Sequence, residues 1–468
     1  MNTIYLGIDL GTTNTKVISV SPEGKHVATA SKPTDWLVKP NGRVEAVAEE
    51  LFQKILACIA EVLIKTKRLV DSPQVAGIGI TGMAESGVIL SAQGQILAQP
   101  IAWFDSRGEA EMNALGDQFR REYQSKTGLV FKAESSLSSL LSLKTAGFDF
   151  AQVGIVWLNV LEYVAFRFTG TQCTEPSLAS RTALYDQSTL SLWKTAQNVL
   201  GISESFIPEQ RFAGDSWGTI SSGDFQPEIQ GAVVTVAGHD HGVGAAGSGA
   251  TGSDQLFNSA GTADVVFRSV PKTLTDEQRF ALTEFGVSAG RHSLQGATSL
   301  IGGSRGGLVL RRALDLLGAR RGEKLEEIDN DWKADRTFHD VIDMTQTKSI
   351  SNDIQITLTG DAGPNELWAA ALDYMAGENS KMLKGIDAVV GTHKTALSAG
   401  GWIKLRSVRE MKSSVIHDLS FSHIDEAGAF GAAYMASWAH SSSGESLIEH
   451  INQRVKILNS EFENLGSK

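Results

Sequence analysis

Gly7-Ile8-Asp9-Leu10-Gly11-Thr12-Thr13-Asn14-Thr15-Lys16 is the stretch on which the reading of this chain turns. It lies inside Ile4 to Val20, where β-rich residues flank a Gly-Thr-Thr-Asn centre, so the segment is expected to form two strands joined by a tight turn. Its tip is unusually polar. A polyphosphate needs backbone N–H groups aimed at its oxygens, a glycine that lets the chain come close, hydroxyl donors, and a metal to offset its charge. Ten residues supply all of these: Gly11, Thr12, Thr13, Asn14 and Lys16 as phosphate contacts, and Asp9 as a magnesium holder acting through water, since magnesium gives up its hydration shell reluctantly. The plain alternative is a polar hairpin with Asp9 facing solvent, and the apolar neighbours on both sides of Asp9 argue against it.

A second hairpin of the same design runs from Gln255 to Val270. At the offset of 250 that superposes Gly261 on Gly11, Leu6, Gly11, Thr12, Ser19 and Val20 meet Leu256, Gly261, Thr262, Ser269 and Val270. The pattern reads as a diverged internal duplication, with Gly261 and Thr262 as a second phosphate tip. A chain of 468 residues is also too long for one hydrophobic core, because cores stop growing at about 250–300 residues. Two α/β lobes are therefore expected, residues 1–237 and 238–468, with both tips facing a central cleft. Between Glu45 and Lys67, Val47, Leu51, Ile55, Cys58, Ile59 and Val62 mark the buried stripe of a helix, and Val75 to Thr81 reads as a buried strand. That order of hairpin, helix and strand implies a mixed sheet flanked by helices. Segments 310–350 and 405–420 are richer in charge and are read as surface helices and connections, without chemistry.

Composition narrows the partners. Hydrophobic residues make up 42% and charged residues 20%, as in soluble globular proteins. The net charge of −11 argues against a surface that neutralises nucleic-acid phosphates, and a small-molecule partner fits better. No apolar window is long enough to span a membrane, and Met1 leads straight into a strand-like segment, so no membrane partner and a cytoplasmic location are expected. Cys58 and Cys173 stand in no metal-type spacing and read as buried bystanders.

Ala237-Gly238-His239-Asp240-His241 follows the apolar run Ala232 to Val236. A strand ending in glycine and then a carboxylate sets Asp240 at the carboxyl edge of the sheet, where open α/β folds bind ligands. On an extended segment His239 and His241 would point opposite ways, so only one is expected beside Asp240 and a metal site is disfavoured. Gly242-x-Gly244-x-x-Gly247, with Asp264 further on, fits a dinucleotide fingerprint and raises a remote NAD-dependent oxidoreductase reading. In such a site the strand would turn directly into the first glycine, whereas Gly238 to His241 intervene here. A P-loop run is absent from the sequence.

Five ordered segments carry a resemblance to a known family. Gly7 to Lys16, Trp103-Phe104-Asp105-Ser106-Arg107, Gly261-Thr262, Ser398-Ala399-Gly400-Gly401 and Glu426-Ala427-Gly428-Ala429-Phe430-Gly431-Ala432-Ala433 together resemble the FGGY carbohydrate kinases of the sugar kinase and actin superfamily. The resemblance implies actin-like (ribonuclease H-like) lobes and ATP-dependent, magnesium-assisted phosphorylation of a terminal hydroxyl of a small sugar: a ketose or deoxy-ketose, or an alditol. It casts Asp240 as the general base and Gly400 and Gly401 as adenosine contacts. Glu85, Trp103, Asp240 and His239 become substrate contacts, the histidine by similarity to deoxy-ketose kinases. Polyol-type members carry an arginine before the acidic residue, but Ala84 stands here, which puts glycerol in doubt. Trp402 replaces the small residue usual after the two glycines. A homodimer would match the enzymes it resembles. An ATPase of the same superfamily, or a sugar sensor without catalysis, is the alternative, and dependence of nucleotide turnover on sugar separates them.

Overall fold

The structure is a computed structural model, and it describes residues 2–221, 223, 225–253, 255–333, 342–346, 354–358, 363–441 and 444–466. The first hairpin forms where the sequence places it, Asn2–Leu10 pairing antiparallel with Asn14–Val20 from Tyr5 opposite Val20 to Leu10 opposite Thr15. His26–Pro33 adds a third antiparallel strand on one side. On the other side Pro73–Gly82 and then Val233–His239 join in parallel, and Gly218–Thr219 closes the edge. Parallel strands covered on both faces are mostly apolar, which is why these two are built around the runs Val75–Ile80 and Val233–Ala237, broken only by Thr235. Helix Ala48–Thr66 lays Leu51, Ile55, Cys58, Ile59 and Val62 into the core against this sheet.

The second sheet repeats the plan. Gln255–Ala260 and Asp264–Val270 form the hairpin, Thr298–Ser304 is its third antiparallel strand, and Thr395–Ala399 and Leu419–Phe421 join in parallel. An extra strand, Val287–Arg291, lies outside the third. Each lobe thus has a mixed sheet with the same internal strand order, and the two make the two-lobed actin-like fold around a central cleft. One detail of the duplication differs from the gapless overlay. The amide of Gly11 donates to the carbonyl of Asn14, but that of Gly261 donates to the carbonyl of Ala263, so the second tip is one residue shorter. Leu6 faces Ser19 while Leu256 faces Arg268, so the structural counterpart of Ser19 is Arg268 and the Ser269 and Val270 identities fall out of register.

The last strand of the first sheet ends at His239 and the first strand of the second begins at Gln255. Helices Ala427–His440 and Leu447–Gly466 then cross back to the first sheet, where Phe430, Tyr434, Ile451 and Val455 share a core with Tyr5, Ile18 and Val20. Glycines permit this docking. A Cβ at Gly7 or Gly79 would run into the carbonyls of Ala429 and Ala432, and one at Gly247 into that of Ala427. The small-residue face of helix Ala427–His440 is therefore a packing surface. It also disposes of the dinucleotide fingerprint, because Gly242, Gly244 and Gly247 lie inside helix Asp240–Gly247, where Gly247 abuts helix Ala427–His440 instead of facing a pyrophosphate.

Between Gly82 and Gly218 the chain makes an insertion with a three-stranded sheet (Gly87–Leu90, Ile96–Ala98, Val156–Asn159) and its own aromatic core. Among the described residues no helix is long and apolar enough to cross a membrane. Segment 405–420 is less superficial than its charge implies, since helix Arg406–Val415 buries Val408, Met411 and Lys412.

Candidate active site

The first hairpin tip is held by its carbonyls. Thr34 Oγ1 donates to the Gly11 carbonyl at 2.8 Å, Trp36 Nε1 to that of Thr12 at 2.8 Å, and the Thr34 amide to that of Thr13 at 3.0 Å. With those oxygens turned into the lobe, the amides of Thr12 and Thr13 have no protein acceptor among the described residues. Amides presented in this way make an anion-binding concavity. Trp103 Nε1 donates to Thr12 Oγ1 at 2.8 Å, so the indole steadies the tip hydroxyl. Asp105 and Arg107, by contrast, serve the fold: the guanidinium pairs with Asp105 and Glu45 at 2.6 Å each.

Asp9 stands opposite Lys16 on one neighbouring strand and Thr81 on the other. Lys16 Nζ is 2.6 Å from Glu426 Oε2, and Gly428, at the start of helix Ala427–His440, leaves room for the Asp9 carboxylate. Burial, then the charge of Asp240, pushes the Asp9 carboxyl up to about 7, with Lys16 pulling the other way and Glu426 adding to the rise. Converging carboxylates that resist ionisation are an oxygen-rich set suited to a hard divalent cation.

Asp240 opens helix Asp240–Gly247 directly at the end of strand Val233–His239. Two helices therefore begin at the cleft, this one and Ala427–His440, and helix N-termini favour anions. Burial raises the Asp240 carboxyl to about 7, against the lowering effects of the His241 amide and the Arg181 charge. The two histidines do not point apart. His239 Nε2 lies 3.3 Å and His241 Nδ1 3.8 Å from Asp240 Oδ1, with ring centroids 5.0 Å apart. The segment turns helical at Asp240, so strand alternation ends one residue too early to separate them. Burial is the main cause that holds both imidazoles neutral, His241 at about 4 and His239 well below its ordinary value. The three groups could hold a metal ion.

Behind Asp240 sits a clamp that the sequence reading missed. Glu175 Oε2 accepts from the Ser177 hydroxyl and from the amides of Ser177 and Leu178, and Ser177 Oγ in turn accepts the His239 amide at 3.0 Å. Thr81 Oγ1 donates to the Gly238 carbonyl at 2.7 Å. Gly238, with φ of 104°, is pressed so close to Glu175 and Ser177 that a side chain has no space. The backbone leading into Asp240 is fixed on both sides.

Glu85 lies in the loop after strand Pro73–Gly82, in a left-handed conformation with φ of 59°. Ser136 Oγ donates to its carbonyl at 2.7 Å, and Arg181 Nε to its carboxylate Oε1 at 2.7 Å. Burial raises the Glu85 carboxyl despite that arginine, and Asp240 contributes to the rise. Arg181, also missed, thus neighbours both Glu85 and Asp240. It follows helix Pro176–Ala179 and carries no local sequence signal.

In the second lobe Gly261, Thr262 and Gly307 pack together, and Trp402 Nε1 borders Gly307. Gly400, with φ of 118°, lies against the Ala260 carbonyl, whereas Gly401 faces open space. Strand Thr395–Ala399, which leads into these glycines, holds in the second sheet the place of Pro73–Gly82 in the first. The Gly400-Gly401 and Glu85 loops are thus topological counterparts. At the base of the second tip, fully buried Lys412 pairs with fully buried Asp264 at 2.7 Å, and Asn258 Nδ2 donates to the same carboxylate.

Residues 4–247 match the N-terminal domain of the FGGY family of carbohydrate kinases. The chain is 30% identical over 241 residues to a glycerol kinase of Geobacter sp. (strain M21), a stretch that covers 50% of this chain and about half, 47%, of that protein. It is 23% identical over 456 residues to a glycerol kinase of Thermococcus gammatolerans, covering 94% of this chain and 90% of the other. Its fold is similar to a ligand-bound xylulose kinase from Lactobacillus acidophilus (TM-score 0.81, 18% identity, 99% and 98% of the two chains). Plasmodium falciparum glycerol kinase with ADP is similar to the same extent (TM-score 0.82, 18% identity, 99% and 98%).

Proposed function

Because the chain belongs to the FGGY family of carbohydrate kinases, we propose that it transfers the γ-phosphoryl group of ATP to a terminal hydroxyl of a small sugar, a ketose or deoxy-ketose in the first place. The observation that carries this reading is Asp240: a recessed carboxylate at a strand's carboxyl edge, backed by a clamp, beside the parallel strand that leads into the Glu85 loop and close to Asp9. Residues 1–237 supply the first phosphate tip and the sugar contact Glu85. Residues 238–468 supply the base, the second tip at Gly261 and Thr262, and the adenosine loop at Gly400 and Gly401.

In the reaction, the substrate hydroxyl oxygen bonds to the γ-phosphorus as the bond to the β–γ bridging oxygen breaks. ADP leaves with that electron pair, and Asp240 takes the hydroxyl proton. General-base help of this kind is worth about 10²–10⁴-fold. The amides of Thr12 and Thr13 and the Lys16 ammonium stabilise phosphate charge, which dominates catalysis of phosphoryl transfer. Asp9, with Glu426 nearby, would hold magnesium, which when bound offsets the charge of the phosphate chain. The two neutral histidines beside Asp240 leave its carboxylate free of a competing cation and offer N–H donors to the sugar.

Release of ADP over a panel of four- to seven-carbon ketoses, aldoses and alditols tests the reading. Turnover should depend on sugar, and Asp240→Asn should lower kcat by at least about 10²-fold with ATP binding retained. Full activity in that variant would remove Asp240 from the chemistry. ATP hydrolysis indifferent to any sugar would replace the kinase with an ATPase.

A further inference from the structure

Arg181 is the one cleft residue near Asp240 with a permanent positive charge among the described residues that shift its carboxyl. Its position is fixed at both ends. The preceding Ser180 accepts the Arg291 amide at 2.8 Å, which ties this turn to the edge strand of the second sheet. The side chain is 20% exposed and reaches the Glu85 carboxylate through Nε. That contact uses only one edge of the guanidinium. Among the described residues the two terminal amino groups make no hydrogen bond, which leaves four N–H donors on a guanidinium whose charge acts on Asp240, His239 and His241.

The other polar groups around that fork set what it can recognise. Ionised Glu85 and Asp240 only accept hydrogen bonds, and a sugar hydroxyl satisfies them by donating. A carbonyl oxygen cannot donate, and beside two carboxylates it would be left facing like partial charge. His239 and His241 each carry a single uncharged N–H in the neutral form, whereas Arg181 offers several N–H donors with a full positive charge, so Arg181 is the strongest group for an acceptor-only oxygen. Its charge also offsets that of Glu85, which makes the site better suited to a neutral carbonyl than to an added anion.

We propose that Arg181 is a specificity-determining residue that holds the carbonyl oxygen of a keto sugar, while Glu85 accepts a neighbouring hydroxyl and Asp240 receives the terminal one. This rests on the kinase reading above and names the substrate class within it. An alditol offers hydroxyls at every carbon and can turn one to donate, so it needs Arg181 less than the ketose does.

The test compares a ketose, the alditol and the aldonate of the same carbon skeleton, at five and six carbons, in the wild-type chain, R181Q and R181K. Wild type should prefer the ketose by kcat/KM. R181Q should lose at least about tenfold of the ketose-to-alditol ratio, as expected for a lost hydrogen bond to a charged donor, with the KM for ATP little changed. R181K, which keeps the charge without the fork, should recover part of the ratio. A purely structural arginine would depress all acceptors alike and leave the ratio where it was; that outcome overturns the proposal, as does a wild-type preference for the alditol or the aldonate. Failure of the kinase reading looks different, with no ADP released by wild type for any acceptor. Calorimetric binding of ketose and alditol to wild type and R181Q then still decides the role of Arg181.

Discussion

Asp240 has to be ionised to accept a proton, and its carboxyl is held at about 7, chiefly by burial. The rate should therefore rise with pH through that region: kcat/KM for the sugar climbs between pH 6 and 8 to a plateau, and a profile flat over that range would mean another group takes the proton. Arg181 opposes the upward shift of Asp240, so R181Q should move the limb to higher pH. Asp240 was legible in the sequence because a glycine and a carboxylate at the end of an apolar run locate a sheet edge without any tertiary information. The two histidines were misread for a boundary reason, since whether the helix starts at Asp240 or two residues later decides if their rings diverge or meet. Arg181 left no trace at all. Its partner Glu85 is 96 residues away, and only the insertion's fold brings them together. Glu175 and Ser177 were equally invisible, as their target is a backbone amide that every residue possesses.

The first hairpin works as an element because its tip is braced from outside. Trp36, Thr34 and Trp103 supply the hydrogen bonds that turn carbonyls inward and fix the Thr12 hydroxyl. Replacing Trp103 with Phe removes one of these bonds and keeps most of the packing against Phe104. A net hydrogen bond is worth about 0.5–1.5 kcal/mol, so W103F should raise the KM for ATP roughly 2- to 12-fold and move the KM for sugar less. Initial-rate kinetics with each substrate varied separates this from the substrate contact that the family resemblance implies for Trp103, which would shift the sugar KM instead. Much of this element was readable: strand, polar tip, strand, and a copy 250 residues on. Its exact register was not. A gapless overlay cannot reveal a loop shortened by one residue, and Asp264 consequently lies opposite Ala260, where buried Lys412 meets it. Lys412 itself sits in a charged stretch that reads as surface, because a single buried lysine pairing with a distant carboxylate leaves helix periodicity intact.

At the scale of the molecule, the chain folds twice into the same sheet order and locks the halves with two glycine- and alanine-rich helices that both begin at the cleft. Duplication was visible in the sequence through its tips, while the return of helix Ala427–His440 to the first sheet was not, since small residues fit many neighbours. This architecture drives several carboxyls away from water. Asp9, Asp240 and Glu175 are raised to about 7 and Glu162 to about 8, burial being the largest cause each time. Their unfolded values are 3.8 for Asp and 4.5 for Glu, so near neutral pH the folded state holds protons that the unfolded chain has lost. Stability must then fall as pH rises. The histidines act in the opposite sense: His26, His239, His241, His292 and His450 are depressed by burial, so their contribution to stability grows with pH, but only up to their unfolded value of 6.5. Above 6.5 the histidine contribution fades over about one pH unit, and the carboxyls prevail. Calorimetry between pH 6.5 and 8 should accordingly show Tm falling by a few degrees, given that about 1 kcal/mol shifts a 150–250-residue domain by 2–4 °C. Glu162→Gln combined with Glu175→Gln should flatten the slope if the amides are accommodated. Adding magnesium and ATP should flatten it by the separate route of neutralising Asp9. A Tm that rises across that interval would mean these carboxyls are ionised in the folded protein, and would return Asp240 to the ordinary range in which no rate limb near pH 7 is expected.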